Sequence, residues 1–141
     1  MNATTRQRLL RAVLIAGGVM MLSAFAAMLM PRAWMAAAHE RLGLGRFPDQ
    51  PIATYLARTT SGLYGLLGVL LLLSAGDVKR YATLIRMLVL GIAVLAAVGL
   101  VGSLTDGMPW WWTIADASSA AGMAVIVLAL QGRESADRGA K

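Results

Sequence analysis

The chain of 141 residues contains no cysteine, a single histidine and few charged side chains. The lack of cysteine excludes a disulfide framework, a thiolate metal site, a CxxC redox pair and a cysteine nucleophile. With His39 as the only histidine, a haem held by two histidines of one chain is also excluded. Charged residues make up only 14% of the chain, against roughly a quarter in soluble domains. This composition excludes an ordinary water-soluble globule.

What the chain does contain is long apolar sequence, since 58% of its residues are hydrophobic. Four runs are uncharged or nearly so, and each approaches the length of about 20 residues that crosses a bilayer as a helix. The sequence therefore predicts an all-α membrane protein with a single domain over residues 1–141, folded as a bundle of four transmembrane helices. We place the spans at about 12–30, 57–76, 84–105 and 111–131, with an outer loop at 31–51 and an irregular cytoplasmic tail at 132–141.

The basic residues are distributed unequally between the two predicted faces. Nine lie at the N-terminus, in the second connection and in the tail, whereas four lie on the opposite face, all in or beside the first connection. Because cytoplasmic segments carry the excess of Lys and Arg, we expect both termini to be cytoplasmic. The Trp110-Trp111-Trp112 triplet then marks the outer interface. Basic clusters beside uncharged runs orient membrane helices, so the net charge of +6 does not indicate a nucleic-acid partner.

The connection at 31–51 is predicted to contain a short interfacial helix. Pro31 can begin this helix and Gly43 can end it. Between them Trp34, Ala38 and Leu42 recur every four residues, which places them on one side.

Small residues recur at helical spacing in two of the spans. Gly62, Gly65 and Gly68 lie in the second span, and Ser118 and Gly122 lie in the fourth. Such residues allow helix backbones to approach closely in lipid. We expect them to serve packing within the chain rather than a dimer face.

Polar residues gather near the predicted outer face. Arg58 and Asp116 are charges within spans at similar predicted depths, and hydroxyl groups surround them in sequence, among them Tyr64 and Thr113. They predict either a small polar pocket or an ion pair that fixes helix register, and the structural role is the commoner one. His39 and Glu40 could form an acid–base pair, but neighbouring residues on a helix point about 100° apart, which favours an interfacial histidine.

No nucleotide, metalloprotease or hydrolase motif is present, and we predict no cofactor, no metal site and no catalytic residue. The leading hypothesis is a non-enzymatic subunit or scaffold of a membrane assembly, with the lipid bilayer, other membrane subunits or a second copy as partners. The first alternative is binding or transport of a small ligand, a proton or a quinone at the polar pocket. The second is a membrane oxidoreductase or isomerase.

One segment of the sequence resembles a known family. The string WMAAAHERLGLG from Trp34 to Gly45, followed by Phe47-Pro48 and by YLAR ending at Arg58, is similar to an uncharacterised family of small four-helix membrane proteins of planctomycete-type bacteria. The resemblance implies a four-helix inner-membrane fold and brings no established activity, substrate or cofactor. Members of that family often carry glutamate at the positions of Thr54 and Asp116, so Thr54 is a departure. In size and layout the chain is also similar to DoxX-like proteins, in architecture alone.

Overall fold

The computed structural model describes residues 2–139 of the chain, and the side chains of residues 2–132. Within these residues all the regular structure is α-helical and no strand is present. The helices are α1 (Ala3–Leu22), α2 (Ala24–Leu29), α3 (Arg32–Arg41), α4 (Pro51–Gly76), α5 (Ala82–Thr105) and α6 (Trp110–Gly139).

Four helical stretches are long and apolar enough to cross a membrane, as the sequence predicts. They are Ala3–Leu29, which combines α1 and α2, together with Pro51–Gly76, Ala82–Thr105 and Trp110–Gly132. The chain therefore has the helices of a multi-pass membrane protein.

The helices extend beyond the uncharged runs at several ends. The first begins at Ala3 rather than near residue 12, because the side chain of Asn2 accepts a hydrogen bond from the backbone N–H of Thr5 at 2.9 Å and caps it. The second begins at Pro51, which suits the first helical position. The expected irregular tail from residue 132 is wrong as far as Gly139, since α6 continues to that residue. No proline interrupts the sequence there. Ala140 and Lys141 lie outside the described residues.

The first span is interrupted at Ser23, which separates α1 from α2. The Ser23 hydroxyl donates to the carbonyl oxygen of Met20 at 2.6 Å. Hydroxyl bonds of this kind to a preceding carbonyl often bend helices. The helical path ends at Met30, whose extended backbone precedes Pro31.

Residues 31–50 form a folded connection between α2 and α4. Helix α3 ends at Arg41, and Gly43, with a φ of 69°, lies in the turn that follows. In this turn the N–H of Gly43 donates to Glu40 O and the N–H of Leu44 donates to His39 O. A short helix followed by a glycine is thus present in this connection. The chain then folds back, so that Phe47 is buried.

The long helices pack as two pairs. Helices α1 and α2 lie against α4, α5 lies against α6, and the contacts between the pairs are less extensive. The hydrophobic core joins the pairs near the end that holds the α4–α5 connection at Asp77, which we call the Asp77 end. Its fully buried members are Leu10, Leu14, Leu71, Ile85, Val89 and Val127. The opposite end, which holds residues 30–50 and the connection at Asp106, is called the Asp106 end.

Close contact between α1 and α4 depends on glycine. A Cβ atom placed on Gly68 would lie 2.5 Å from the backbone nitrogen of Leu22 and 2.7 Å from the carbonyl oxygen of Gly18. At Gly65 it would lie 2.5 Å from the ring of Phe25. The expectation that these glycines pack within the chain is confirmed. In contrast, a Cβ on Gly122 would meet nothing within 4 Å, so that residue does not serve such a contact.

Candidate functional site: an acid-lined cleft between the helix pairs

A cavity of about 280 Å³ lies between the two helix pairs, adjacent to the core on its Asp106 side. All four spans contribute to its lining, which is mostly apolar. It lies near the middle of each apolar helix, as the positions of Met21, Leu67, Ala96 and Ala120 along their spans show. We call this cavity the acid cleft.

Asp116 and Tyr64 line the acid cleft together. The Asp116 carboxyl group faces α5, where its Oδ2 atom lies 4.0 Å from the position that a Cβ on Gly99 would occupy. Ser119 also lines the cleft, and its hydroxyl donates to the backbone carbonyl oxygen of Asp116 at 2.9 Å. Within the described residues no Lys or Arg forms an ion pair with Asp116. One carboxyl and two hydroxyl groups therefore share a largely apolar space.

The cleft exists because the two helix pairs are held together at one end only. Beyond Val89 no residue of α5 is buried, and before Ala124 the only buried residue of α6 is Thr113. Gly99 on α5 leaves space beside α6, since a Cβ there would meet only Asp116 Oδ2, at 4.0 Å. The carboxyl group of Asp116 thus lies where few residues between the helix pairs are buried.

Arg58 and Asp116 do not come together. Arg58 lines a second cavity, near residues 28–32 and the start of α4, and its guanidinium donates to the carbonyl oxygen of Met30 at 3.4 Å. On α4 it lies six residues before Tyr64, which corresponds to ~9 Å along the axis and a rotation of about 240°. The predicted Arg58–Asp116 ion pair is therefore absent from the described structure, because Arg58 lies both at a different depth and on a different side of α4 from Tyr64, which lines the cleft with Asp116.

The remaining predicted site residues have local structural contacts. Thr113 is buried, and its hydroxyl donates to the carbonyl oxygen of Pro109 at 3.4 Å. His39 Nδ1 lies 3.1 Å from the carbonyl oxygen of Gly45, and its ring meets that of Phe47 edge to face at 5.5 Å. Neither residue lines the acid cleft or the Arg58 cavity, and the same is true of the exposed Glu40.

Metal-binding side chains are dispersed in the described part of the chain. No three His, Asp or Glu residues there come together in a group that could hold a metal ion.

Met123 and Gly99 belong to the acid cleft but were not identified from the sequence, whereas Ser119 is one of the hydroxyl residues that the sequence places around Asp116. A usable signal was present on α6, since residues 119, 120 and 123 follow Asp116 at spacings of three, four and seven and share its face. No comparable signal identified Gly99, because only the packing of α5 against α6 brings it to the carboxyl group.

Comparison of the chain with protein-family models, with curated proteins and with solved structures gave no match. The candidate site therefore depends on its own geometry.

Proposed function

We propose that this chain is a multi-pass protein of a bacterial inner membrane, with both termini in the cytoplasm and the Asp106 end facing outward. The support is the excess of Lys and Arg at the Asp77 end, together with Trp110 and Tyr55 exposed near the Asp106 end. In this arrangement the spans form a bundle, and α3, with Trp34 exposed, lies at the outer interface.

Within that frame, the acid cleft binds a small amphipathic molecule that has a cationic or hydrogen-bond-donating head group. The observation that carries this proposal is Asp116, a carboxyl group in an intramembrane cavity with no basic partner in the described chain. A carboxylate at such depth is costly unless it is paired, hydrated or hydrogen-bonded. A ligand that supplies a positive charge or a donor removes this cost.

The other lining groups suit such a ligand. Ligand pockets are mostly apolar with a few polar groups that fix orientation, and here Asp116, Tyr64 and Ser119 provide those groups. The volume of about 280 Å³ accommodates a small head group with a short apolar body. This role corresponds to the ligand-binding alternative, and the cleft favours it over a purely structural subunit.

A thermal-stability assay in nanodiscs tests this role, with decylamine as the probe and decanol as its uncharged counterpart. We expect decylamine, and not decanol, to raise the melting temperature, because a ligand that binds only the folded state stabilises it. The increase should disappear in Asp116→Asn and remain in Asp106→Asn, which alters a carboxylate outside the cleft.

A variant that fills the cavity gives an independent test. Ala96 lines the cleft, whereas its neighbour Ala97 is exposed and does not. Ala96→Leu should abolish the decylamine effect, and Ala97→Leu should preserve it. Equal effects of decylamine on the wild type and on Asp116→Asn would contradict a binding site at the carboxyl group.

A second candidate is the non-enzymatic subunit role, and one observation favours it. Ser118 is exposed, and Gly122, which shares its face of α6, has no neighbour within 4 Å of a Cβ position. A partner helix could pack closely on this face of small residues. A photo-crosslinking residue at position 118 should then give one discrete protein adduct that is lost in Gly122→Leu. Crosslinks to lipid alone would contradict this role.

A further inference from the structure

The second cavity, at the Asp106 end, has a different character from the acid cleft. Its volume is about 640 Å³, and it lies between the end of α2 and the first turns of α4. Polar side chains from three segments line it beside apolar ones: Met28, Arg32, Asp49, Pro51, Thr54, Tyr55, Arg58 and Thr59. We call it the arginine cavity.

The charges around the arginine cavity do not cancel. Asp49 accepts a hydrogen bond from Arg32 at 2.7 Å and lies 3.7 Å from Arg46. This single carboxylate therefore faces two guanidinium groups before Arg58 is considered. In the described residues Arg58 has no carboxylate partner, and its contact with Met30 O is long at 3.4 Å. The lining of the arginine cavity therefore has a net positive charge. Within the described residues, the guanidinium group of Arg58 donates to no anionic group.

The location of the cavity places this charge at a membrane boundary. After Arg58, helix α4 is uncharged from Thr59 to Gly76. Before it, Tyr55 is 62% exposed, as is typical of the aromatic belt at the head-group level. An arginine at the end of a span extends its guanidinium towards the interface. The phosphate groups of phospholipids lie at that level.

Hydroxyl groups and apolar surface complete the arrangement. Thr54 and Thr59 line the cavity, and the Thr54 hydroxyl oxygen is buried with no hydrogen-bond partner among the described atoms. Met28 lines the same cavity, and Ile52 and Leu56 are exposed on the adjoining surface of α4. A phosphate oxygen can pair with a guanidinium through two parallel hydrogen bonds, while acyl chains cover apolar side chains.

From this geometry we propose that the arginine cavity binds the phosphate of an anionic glycerophospholipid, with Arg58 as the principal ligand of the phosphate. Arg32 is held by Asp49 at the rim and contributes charge rather than a free donor. The site is separate from the acid cleft, so either site can exist without the other.

Native mass spectrometry of the detergent-solubilised protein tests this proposal, with phosphatidylglycerol, phosphatidylcholine and inorganic phosphate as three arms. We expect one phosphatidylglycerol to remain bound at concentrations that leave phosphatidylcholine unbound, because the latter carries its own cationic group. Arg58→Gln should weaken the binding about tenfold, since charge-assisted hydrogen bonds are strong. Arg41→Gln removes an exposed arginine that does not line the cavity, and its affinity should stay within about twofold of the wild type.

Loss of the Met30 contact could unfold Arg58→Gln, so a second variant keeps that contact. Thr59→Glu places a carboxylate in the cavity at an exposed position and should expel the lipid while the protein stays folded. The proposal is overturned if the wild type retains no phosphatidylglycerol or if Thr59→Glu binds it as well as the wild type. It is also overturned if Arg41→Gln weakens binding as much as Arg58→Gln, or if inorganic phosphate displaces the lipid at millimolar concentration. That last result would assign the site to free phosphate.

Discussion

At the scale of single residues, Asp116 is the most informative side chain of this protein. It is the only charge in α6 before Gly132, and it lines a cavity near the middle of the apolar layer. The other polar side chains that line this cavity, Tyr64 and Ser119, carry hydroxyl groups rather than cations. A carboxyl group in these surroundings should differ chemically from the exposed carboxyl groups in the connections.

An apolar carbodiimide tests this difference. The reagent adds to a carboxyl group, and the adduct hydrolyses in water but rearranges to a stable N-acylurea in apolar surroundings. We expect an intact-mass increase of one reagent molecule, located at Asp116 by peptide mapping. The increase should vanish in Asp116→Asn and persist in Asp106→Asn. Stable modification at Asp77 or Asp106 instead would show that Asp116 is as hydrated as the connections.

Asp49 has a carboxyl group whose pKa is lowered by its neighbours in the 31–50 connection. The hydrogen bond from Arg32, followed by the charges of Arg46 and Arg32, lowers the pKa of this carboxyl group below its ordinary value of 3.8. Because the pKa of Asp49 is lower in the folded state, its contact with Arg32 stabilises the 31–50 connection fully at pH values above the ordinary pKa of 3.8. The contribution is lost as the pH falls through the lowered pKa.

An NMR titration of the Asp49 carboxyl carbon measures this effect. The midpoint should lie below 3.8 in the wild type and move up towards 3.8 in Arg32→Gln, which removes the largest cause of the shift. Arg41→Gln serves as the control and should leave the midpoint unchanged. A wild-type midpoint at or above 3.8 would contradict the observed contact.

At the scale of the helices, α1 and α4 lie in close backbone contact because Gly68 has no side chain at the point where they cross. The backbone nitrogen of Leu22 and the carbonyl oxygen of Gly18 occupy the space next to Gly68, so a methyl group there must displace α1 itself. Backbone cannot move aside as a flexible side chain can. The crossing should therefore be more sensitive to added volume than the rest of the fold.

Gly68→Ala should lower the free energy of unfolding by about 1–3 kcal/mol, the usual effect of overpacking. The matched control is Gly122→Ala, where a Cβ meets nothing within 4 Å. That variant should be neutral or up to about 1 kcal/mol more stable, because alanine favours a helix over glycine. Unfolding in mixed micelles of dodecylmaltoside and dodecyl sulfate measures both values. Similar values for the two variants would mean that the crossing tolerates a methyl group.

At the scale of the whole molecule, the proposed orientation places two groups of positions on opposite sides of the membrane. Residues 4 and 79 lie at the Asp77 end, and residues 46 and 106 lie at the Asp106 end. All four are exposed. Since the native chain has no cysteine, each single-cysteine variant carries one unique label site.

A membrane-impermeant maleimide applied to intact spheroplasts should label Arg46→Cys and Asp106→Cys. Thr4→Cys and Lys79→Cys should react only after the membrane is permeabilised. Labelling in the reverse pattern would invert the proposed orientation. Labelling of positions 4 and 79 from opposite sides would contradict the arrangement of spans itself.

The sequence predicted the elements of this fold better than their ends. The apolar runs identified all four long helices. A short helix, α3, lies between Pro31 and Gly43, and its position at the membrane interface stays a prediction. The predicted ends differ from the observed ends where polar residues extend a helix, as after Asn2 and beyond Gly132. An uncharged run indicates which residues can lie in lipid, whereas polar residues outside it can still be helical. The break at Ser23 was missed, since a single hydroxyl bond produces it.

The sequence by itself determined the class of the protein and the identity of its spans. Backbone groups surrounded by hydrocarbon must form hydrogen bonds within a helix, so each apolar run is predicted to be helical without reference to the rest of the chain. Only the tertiary structure decided which polar residues meet. Counting residues along each helix predicts similar depths for Arg58 and Asp116, but Arg58 lies ~9 Å along α4 from Tyr64, which lines the cleft with Asp116. Rotation about the helix axis is set by contacts such as Gly18 against Gly68, and the resulting packing places Tyr64 and Asp116 in one cavity while Arg58 lines another.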